Sequence, residues 1–483
     1  MSTDLLQTLF SNVWSIFLVV LFFGGSIFVH ELGHFLAARR RGVLVERFSI
    51  GFGPAIFSWR GRDGVEYRVS WIPLGGYVLL PQLADLGPIE GKSEVEVQKL
   101  PPISYSTRMI VFVAGAVFNI LFAFALACVV WVIGQPESSE TATTQLGYVS
   151  RTLELPDGTK VPSPAFEAGL KIGDIVRAID GSIVKNWLDI QYLIGLGAGQ
   201  SADGQRKATF TVERNGQLID LTVNPRLVGE ERERRVGIAP SYELIVQQVT
   251  PGSAADLAGI KPGDEILSID GVPVRSAGTY YDLLEASVDR SVVFNVRRGT
   301  GEGALTLPST IPPRPNPKAP ANIGLTLITG FQLIHVSPVA QISDQITKTF
   351  QTLASLLNPH SDVGLSKVSG PVGIVRIFHS AAEAGIRMSL IFAILVNVNL
   401  AVFNLLPLPV LDGGQMLFAT IGKLRGRPLP ANFIIAAQST FGLLLLVMVL
   451  YVSVFDVRRW ARDSREEGAA ATQQRTAPAP SNK

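Results

Sequence analysis

Four long apolar segments dominate the pattern of hydrophobic and polar positions along this chain of 483 residues. They cover residues 11–38, 107–134, 387–408 and 432–456, and a helix needs about 20 such residues to cross the hydrocarbon core of a bilayer. The mean hydropathy of +0.31 and the 17% of charged residues fit a protein with membrane and soluble parts. The pattern predicts a polytopic α-helical membrane protein with four transmembrane helices.

Residues 145–310 have a soluble composition and contain an internal repeat at an offset of 90 residues. Nine of the eighteen residues from 164 to 181 recur 90 positions later. Each copy is predicted to form a short helix, a glycine turn and a strand closed by an Asp-Gly turn. This pattern resembles the PDZ domain, so we predict two tandem PDZ-like α+β domains at 145–230 and 235–310. Such domains can bind an extended peptide or a C-terminus at a sheet edge, and a role as size filter or scaffold is the alternative.

The first apolar segment contains His30, Glu31 and His34 in the pattern H-E-x-x-H. On a helix the two imidazoles lie on one face and can bind one metal ion, and Glu31 can act as general base toward water. The ordinary alternative for such a match is a buried His–Glu pair without metal. The apolar segment argues against that alternative, because placing ionisable side chains inside a membrane costs free energy and such side chains usually mark functional sites. The pattern therefore predicts a metal site within the membrane.

The third apolar segment ends in a second polar cluster. Its polar and helix-breaking residues are Asn397, Asn399, Asn404, Pro407 and Pro409. The two prolines must break the helix, and the backbone groups they leave unpaired are tolerated at membrane depth only where they line a cavity. A zinc ion held by two histidines needs a third protein ligand and an open position. Asp412 is the best candidate for that ligand, and a helix-capping aspartate before Gly413 is the alternative.

Residues 48–80, between the first two apolar segments, are rich in glycine and β-forming residues. Apolar and polar side chains alternate from Val65 to Trp71 after a turn at 62–64, and a second short extended piece follows at 74–78. This hairpin is predicted to offer an edge to an extended substrate, and a purely connecting role is equally compatible with the pattern.

Charge and cysteine content exclude several classes of protein. The net charge of +2 argues against a nucleic-acid partner, and the single cysteine, Cys128, excludes an intrachain disulfide. Basic residues at 39–41 and 423–427 predict that these two loops are cytoplasmic and that the repeats lie on the opposite side. The metal would then lie about 7–8 Å from the cytoplasmic face. Three arginines at 458–462, after the fourth segment, disagree with this orientation.

Several motifs in matching order over about residues 10–456 together resemble the site-2 protease family. They are H-E-L-G-H at 30–34, F-S-I-G-F-G-P at 48–54, P-L-G-G-Y-V at 73–78, the tandem repeats, S-G-P-V-G at 369–373 and N-L-L-P-L-P-V-L-D-G-G at 404–414. The resemblance implies a zinc intramembrane endopeptidase with His30, His34 and Asp412 as zinc ligands and Glu31 as the base. It also implies substrate contacts by Asn404, Pro407 and Pro409 in the third-segment break and by Gly75, Gly76 and Tyr77 in a membrane-associated β-hairpin.

Members of this family cut the transmembrane segments of single-span proteins, such as anti-sigma factors and remnant signal peptides, in regulated intramembrane proteolysis. The resemblance therefore implies a lipid-embedded multi-pass protein of the bacterial inner membrane, with periplasmic repeats and an active site near the cytoplasmic face. One departure is Ala116, where many members have proline before the asparagine of the second span. This departure bears on whether the second span bends at this point as in those members, and it does not bear on the chemistry of the site.

The predicted organisation begins with residues 1–134, which hold the first two transmembrane helices, the H-E-x-x-H motif and the hairpin. The two repeats, an amphipathic interfacial segment at 321–385, the last two transmembrane helices with L-D-G-G at 386–457 and a disordered tail at 463–483 follow. Two other classes fit parts of the sequence, a catalytically silent membrane scaffold and a metal transporter. Glu31 beside both histidines argues against the scaffold, and the soluble repeats argue against the transporter.

Overall fold

The computed structural model describes residues 3–83, 100–155, 157–197, 199, 205–229, 232–287, 289–299, 304–312, 323–362, 364 and 368–476. The chain divides into two compact units. The first unit holds residues 1–135, 335–350 and 365–483, and the second holds residues 136–334 and 351–364. The apolar helices therefore fall in one unit and the internal repeats in the other.

Within the described residues, four helices of the first unit are long and apolar enough to cross a membrane, which confirms the prediction of a four-span helical membrane protein. They are the first span (helix Thr3–Arg40), the second span (Tyr105–Ile133), the third span (Ile386–Asn404) and the fourth span (helix Ala431–Thr476). The third helix ends at Asn404 instead of residue 408. Pro407 and Pro409 lack the N–H group that the helix ladder requires, so the chain turns before them.

The fourth helix continues beyond the apolar segment to Thr476. Residues 463–476 are therefore helical in the structure, whereas the sequence predicted a disordered tail from residue 463, and residues 477–483 lie outside the described part. This stretch is rich in alanine, arginine, glutamate and glutamine, all good helix formers. Because it extends an existing helix, it needs no new nucleus.

The motif S-G-P-V-G begins the helix Pro371–Glu383, and Asp456 of the fourth span fixes it. Oδ2 of Asp456 accepts hydrogen bonds from the N–H groups of Gly370 at 3.0 Å and Gly373 at 2.8 Å. A carboxylate in this place satisfies free N–H groups of the first turn and complements the helix dipole. A Cβ atom on either glycine would come within 2.9 Å of the carboxylate, so only glycine permits this approach.

The predicted hairpin is present as the antiparallel strands β1 (Arg47–Arg60) and β2 (Glu66–Leu79). Strand β2 covers both extended pieces predicted for 65–78, and the two pieces pair separately, with residues 66–69 on one side of residues 47–50 and residues 76–79 on the other. Near the first span the hairpin is buried, where Phe48 packs edge-on against Phe35 with ring centroids 5.3 Å apart. Its far half exposes Phe57, Trp59 and other apolar side chains. The hairpin thus packs against the helix that carries H-E-x-x-H.

The second unit is rich in short strands. Up to the end of the first repeat, they are β3 (Gln135–Ser138), β4 (Leu146–Val149), β5 (Thr152–Glu154), β6 (Lys160–Pro162), β7 (Ile175–Ile179), β8 (Ser182–Ile183), β9 (Ala208–Arg214), β10 (Gln217–Val223), β11 (Arg226–Val228) and β12 (Glu233–Arg235). The remaining strands are β13 (Ile238–Pro240), β14 (Leu244–Val249), β15 (Glu265–Ile269), β16 (Val272–Pro273), β17 (Val292–Arg298), β18 (Leu305–Ile311), β19 (Leu325–Thr329) and β20 (Phe331–Ile334).

Each repeat builds its own sheet and its own core. The sheet of the first repeat has the order β10-β9-β7-β8, and that of the second has β18-β17-β15-β14-β19 with β16 beside β15. The repeats carry paired helices, Pro164–Glu167 and Trp187–Leu196 in the first and Ala254–Leu257 and Ala277–Glu285 in the second. Phe210 and Phe294, both fully buried, take matching places in the two cores. The predicted order of short helix, turn and strand is found in both copies.

One aspartate that recurs in the two copies, Asp174 in the first and Asp264 in the second, has the same role in each. Asp174 accepts two hydrogen bonds of 2.7 Å from the Arg214 guanidinium, and Asp264 accepts two of 2.7 Å from Arg298. Both carboxylates are buried, so each needs such a bidentate partner to offset its desolvation. The repeat therefore preserves an ion pair that joins the turn before β7 or β15 to the strand beside it.

The second repeat extends beyond the predicted boundary at residue 310. β19 pairs with β14 and completes the sheet, and β20 pairs with β3, so residues 323–334 belong to the second unit and not to an interfacial segment. Residues 351–362 join the same unit, because Asp362 accepts hydrogen bonds of 2.7 Å from both Arg206 and Arg234. Burial by itself raises the pKa of Asp362, but the two guanidinium groups outweigh it and hold that pKa below its ordinary value. The rest of the predicted interfacial segment contains the helices Pro338–Leu357 and Pro371–Glu383, and their place at a membrane interface stays a prediction.

Candidate metal centre

His30 and His34 project from one face of the first span, and both are buried. Their Nε2 atoms lie 3.2 Å apart, as the helical spacing of four residues allows. Glu31 lines the same cavity of about 230 Å³. Strand β2 closes this cavity so tightly that a Cβ atom on Gly76 would lie 2.9 Å from Cγ of Glu31.

Asp412 reaches this cavity from the other end of the chain. The break after the third span turns back at 405–411, and Asp412 begins the helix Asp412–Leu424. Its Oδ2 atom lies 3.4 Å from Nε2 of His30 and 3.4 Å from Nε2 of His34. The following Gly413 and Gly414 lie directly against the carbonyl groups of Leu405 and Leu408, where a Cβ atom would collide. The L-D-G-G sequence therefore lets the helix start close enough to present its carboxylate.

The three side chains have the chemistry of a zinc site. One ligand atom from each of His30, His34 and Asp412 lies within 4.8 Å of the other two. His34 donates its Nδ1–H to the carbonyl of Val111 at 2.8 Å, which leaves the lone pair of Nε2 directed toward the site. Oδ2 of Asp412 is buried and has no hydrogen-bond partner among the described residues, which suits a metal ligand. Two imidazoles and one carboxylate form the donor set of catalytic zinc sites with an open position.

Asn119 of the second span is a residue that the sequence did not assign to the site. Its side chain is fully buried, and its amide lies 3.2 Å from Nδ1 of His30. When Nε2 of His30 binds a metal, Nδ1 carries the proton and needs an acceptor. The amide oxygen of Asn119 is that acceptor when the planar amide turns it toward the ring. A lone amide in an otherwise apolar span was the only signal available in the sequence.

The proposed substrate-binding residues fall into two groups. Asn404, Gly76 and Tyr77 line the metal cavity, and the Asn404 amide lies 3.3 Å from Nε2 of His30. Gly75, Pro407 and Pro409 are not part of that lining. Gly75 has φ +141 beside the Phe52 ring, and the Pro409 carbonyl accepts a hydrogen bond of 3.2 Å from Gln415.

Gly115 of the second span must lack a side chain because both histidines pack against it. A Cβ atom there would collide with the His34 ring and lie 2.6 Å from Cε1 of His30. We expect Gly115→Ala to displace the imidazoles and to lower peptidase activity by about 100-fold, since a shift of about 1 Å in a catalytic group costs that much. Activity per bound zinc of the purified variant measures the effect.

The control for this prediction is Gly24→Ala in the first span, where an added Cβ atom meets nothing within 4 Å. It makes the same change in helix propensity and should leave activity near that of the unaltered protein. Equal activity of the two variants would show that the histidines tolerate a methyl group at position 115.

Comparison with known proteins identifies the family and confirms the resemblance to site-2 proteases. The sequence pattern of Peptidase family M50 matches residues 17–449. The regulator of sigma-E protease RseP of Escherichia coli (strain K12) is 31% identical over 476 residues, covering 92% of this chain and 98% of that protein. Putative zinc metalloproteases of Xylella fastidiosa (strain Temecula1) and Vibrio cholerae serotype O1 are 29% and 30% identical, with 92% and 86% of this chain covered and 98% and 92% of those proteins. The chain therefore belongs to peptidase family M50, the site-2 protease family, and is a membrane zinc metalloendopeptidase.

Proposed function

We propose that this protein hydrolyses peptide bonds inside the transmembrane segments of single-span membrane proteins. In this proposal His30, His34 and Asp412 hold the zinc ion, and Glu31 is the general base. The observation that carries it is the convergence of the three ligand atoms in a buried cavity that Glu31 also lines. We propose anti-sigma factors and remnant signal peptides as the substrate classes, because members of the site-2 protease family cut such proteins.

The chemistry divides between the metal and the chain. Zinc, when bound, polarises the scissile carbonyl and lowers the pKa of a water molecule. Glu31 accepts a proton from the water molecule while the oxygen of that water adds to the carbonyl carbon. It then donates the proton to the amine nitrogen as the C–N bond breaks. Val111 orients the His34 ring and Asn119 orients the His30 ring, in each case through Nδ1 of the imidazole.

Strand β2 is the proposed receiving edge for substrate. Residues 47–50 of β1 pair with residues 66–69 on one side and with residues 76–79 on the other, so the outer edge of 76–79 has no strand partner among the described residues. An extended peptide can add to such an edge. Gly76 and Tyr77 lie on β2 and line the metal cavity together with Asn404. A transmembrane helix hides its own backbone, so the substrate must unwind before its carbonyl reaches the metal.

The two repeats are proposed as PDZ-like modules on the periplasmic side. The matching sheets, helices and Asp–Arg pairs of the two copies support a shared fold. Such modules can bind a peptide or C-terminus by strand addition, or they can exclude substrates with bulky outer domains. Binding of peptides that end in a free carboxylate, compared with the same peptides amidated, distinguishes these two roles.

The proposed location is the bacterial inner membrane, with the metal centre near the cytoplasmic face. Arginines in the last turn of the first span and basic residues at 423–427 support this orientation. The arginines after the fourth span, which argue against it, have structural partners. Arg459 donates hydrogen bonds to the Val368 carbonyl and to Asp456, and Arg462 lies 3.5 Å from Asp463. The contacts of Arg459 give that residue a packing reason that is independent of topology.

Metal removal tests the proposed function. We expect a chelator to abolish cleavage of a tagged single-span reporter by the detergent-purified protein, and zinc to restore it, because the ligand set is incomplete without metal. Gel mobility of the tagged fragment measures cleavage. Magnesium is the control addition, since it prefers oxygen ligands and should restore nothing. Cleavage that persists after zinc has been removed, or that magnesium alone restores, would contradict the proposal.

A further inference from the structure

A second cavity, of about 580 Å³, lies in the first unit, and the proposed hydrolysis does not use it. It is bounded by the start of the second span, the helix Asp412–Leu424 and the loop that leads into the fourth span. Tyr105 and Ala431, the first residues of two candidate spans, both line it. The cavity therefore lies at the level where two helices enter the membrane, and its volume is within the range of ligand sites, about 300–1,000 Å³.

Three basic side chains, Arg108, Lys423 and Arg427, line this cavity, and no acidic residue of the described part of the chain does. Within the described ranges none of the three forms an ion pair with a carboxylate. Nζ of Lys423 lies 4.1 Å from the centroid of the Tyr105 ring, whose hydroxyl is 3.0 Å from Oγ1 of Thr420. The ammonium group is thus held at the cavity by a ring that is itself fixed. Three positive charges around one cavity create a field that attracts an anion.

The rest of the lining is apolar. Phe112, Phe418 and Ile434 are among the side chains that face the same space. A small hydrophilic anion would leave these side chains without a partner, whereas an amphiphile satisfies both kinds of lining. The chemistry of the cavity is therefore that of a site for an anionic head joined to an apolar body.

We propose that this cavity binds an anionic phospholipid, with its phosphate among Arg108, Lys423 and Arg427 and its acyl chains against the apolar lining. Basic pockets between transmembrane helices at a membrane face have the charge that such headgroups need. A substrate segment fits less well, because the flanks of single-span proteins on the cytoplasmic side carry lysine and arginine. The proposal does not depend on peptide hydrolysis, and its test uses binding alone.

The test is lipid binding to the full-length protein in a neutral detergent, measured by native mass spectrometry. The probes are dioleoyl phosphatidylglycerol and dioleoyl phosphatidylcholine, which share their acyl chains and differ in headgroup charge. We expect one saturable phosphatidylglycerol site that phosphatidylcholine does not fill. We also expect Arg108→Gln with Lys423→Gln to weaken it about 30-fold, since each basic residue near a membrane surface contributes about fivefold.

The matched control is Arg41→Gln with Arg425→Gln, which removes the same charge from two exposed residues that do not line the cavity. It should retain the site. Equal binding of the two lipids, or equal weakening by the two double variants, would overturn the proposal. So would displacement of the lipid by inorganic phosphate in excess, because this would identify the ligand as a free anion. If the cavity double variant does not purify as a folded protein, Arg427→Gln against Arg425→Gln makes the same comparison, with about a fivefold loss expected.

Discussion

Glu31→Gln will retain its zinc and lose peptidase activity by a factor of about 10²–10⁴, the usual contribution of a positioned general base. Glutamine has nearly the shape of glutamate, and Glu31 is not among the three residues whose ligand atoms converge. The amide of glutamine cannot accept the proton that water must give up. The attack of water on the scissile carbonyl is therefore slowed, although the zinc ligands are all present. Zinc per chain by elemental analysis and cleavage of the tagged single-span reporter measure the two parts of this result.

The unaltered protein purified in parallel is the control for the Glu31→Gln result. Loss of zinc together with activity would show that Glu31 supports the metal centre instead of acting as base. Equal cleavage by both proteins would point to another base or to a contaminating protease. The proposal therefore requires the combination of full metal content and low activity.

Asp412→Asn will give a different pattern, in which zinc and activity are lost together. Oδ2 of this carboxylate lies 3.4 Å from both imidazole Nε2 atoms and has no hydrogen-bond partner in the described part of the chain. Because loss of a partner in the outer shell of a site already costs about 10–100-fold in metal affinity, loss of a ligand should cost at least about 100-fold. Competition for zinc with a chromophoric chelator measures the affinity directly.

Asp344→Asn is the matched control for Asp412→Asn. Asp344 is an exposed carboxylate paired at 2.8 Å with Lys348 on the helix Pro338–Leu357, and such surface pairs contribute little. It should leave zinc affinity unchanged. Unchanged zinc affinity in Asp412→Asn as well would exclude this aspartate as the third ligand.

Local patterns in the sequence carried much of the architecture. Apolar segments of sufficient length predicted the four membrane helices, since the bilayer sets that length. The 90-residue repeat predicted two similar β-rich modules, and spacing along one helix predicted that His30 and His34 share a face. The broken end of the third segment then indicated Asp412 as the best candidate for the third ligand, and the family resemblance implied the same residue.

The sequence was less informative where an element depends on a distant partner. β19 was assigned to an interfacial segment because only its pairing with β14, about 80 residues away, makes it part of the second repeat. The helix beyond residue 463 was missed for a different reason. Its composition is polar, and continuation of the preceding helix decides its conformation.

What the sequence determined by itself is therefore the set of spans, the repeats and the side chains of the proposed metal site. Each follows from spacing within one segment or from a short motif. Only the tertiary structure decided that Val111 and Asn119 orient the imidazoles and that Gly115 makes room for them. It also decided that Arg108 meets Lys423 and Arg427 around one cavity. These residues are ordinary in their own segments, and they become specific only when packing brings together helices that lie far apart in the chain.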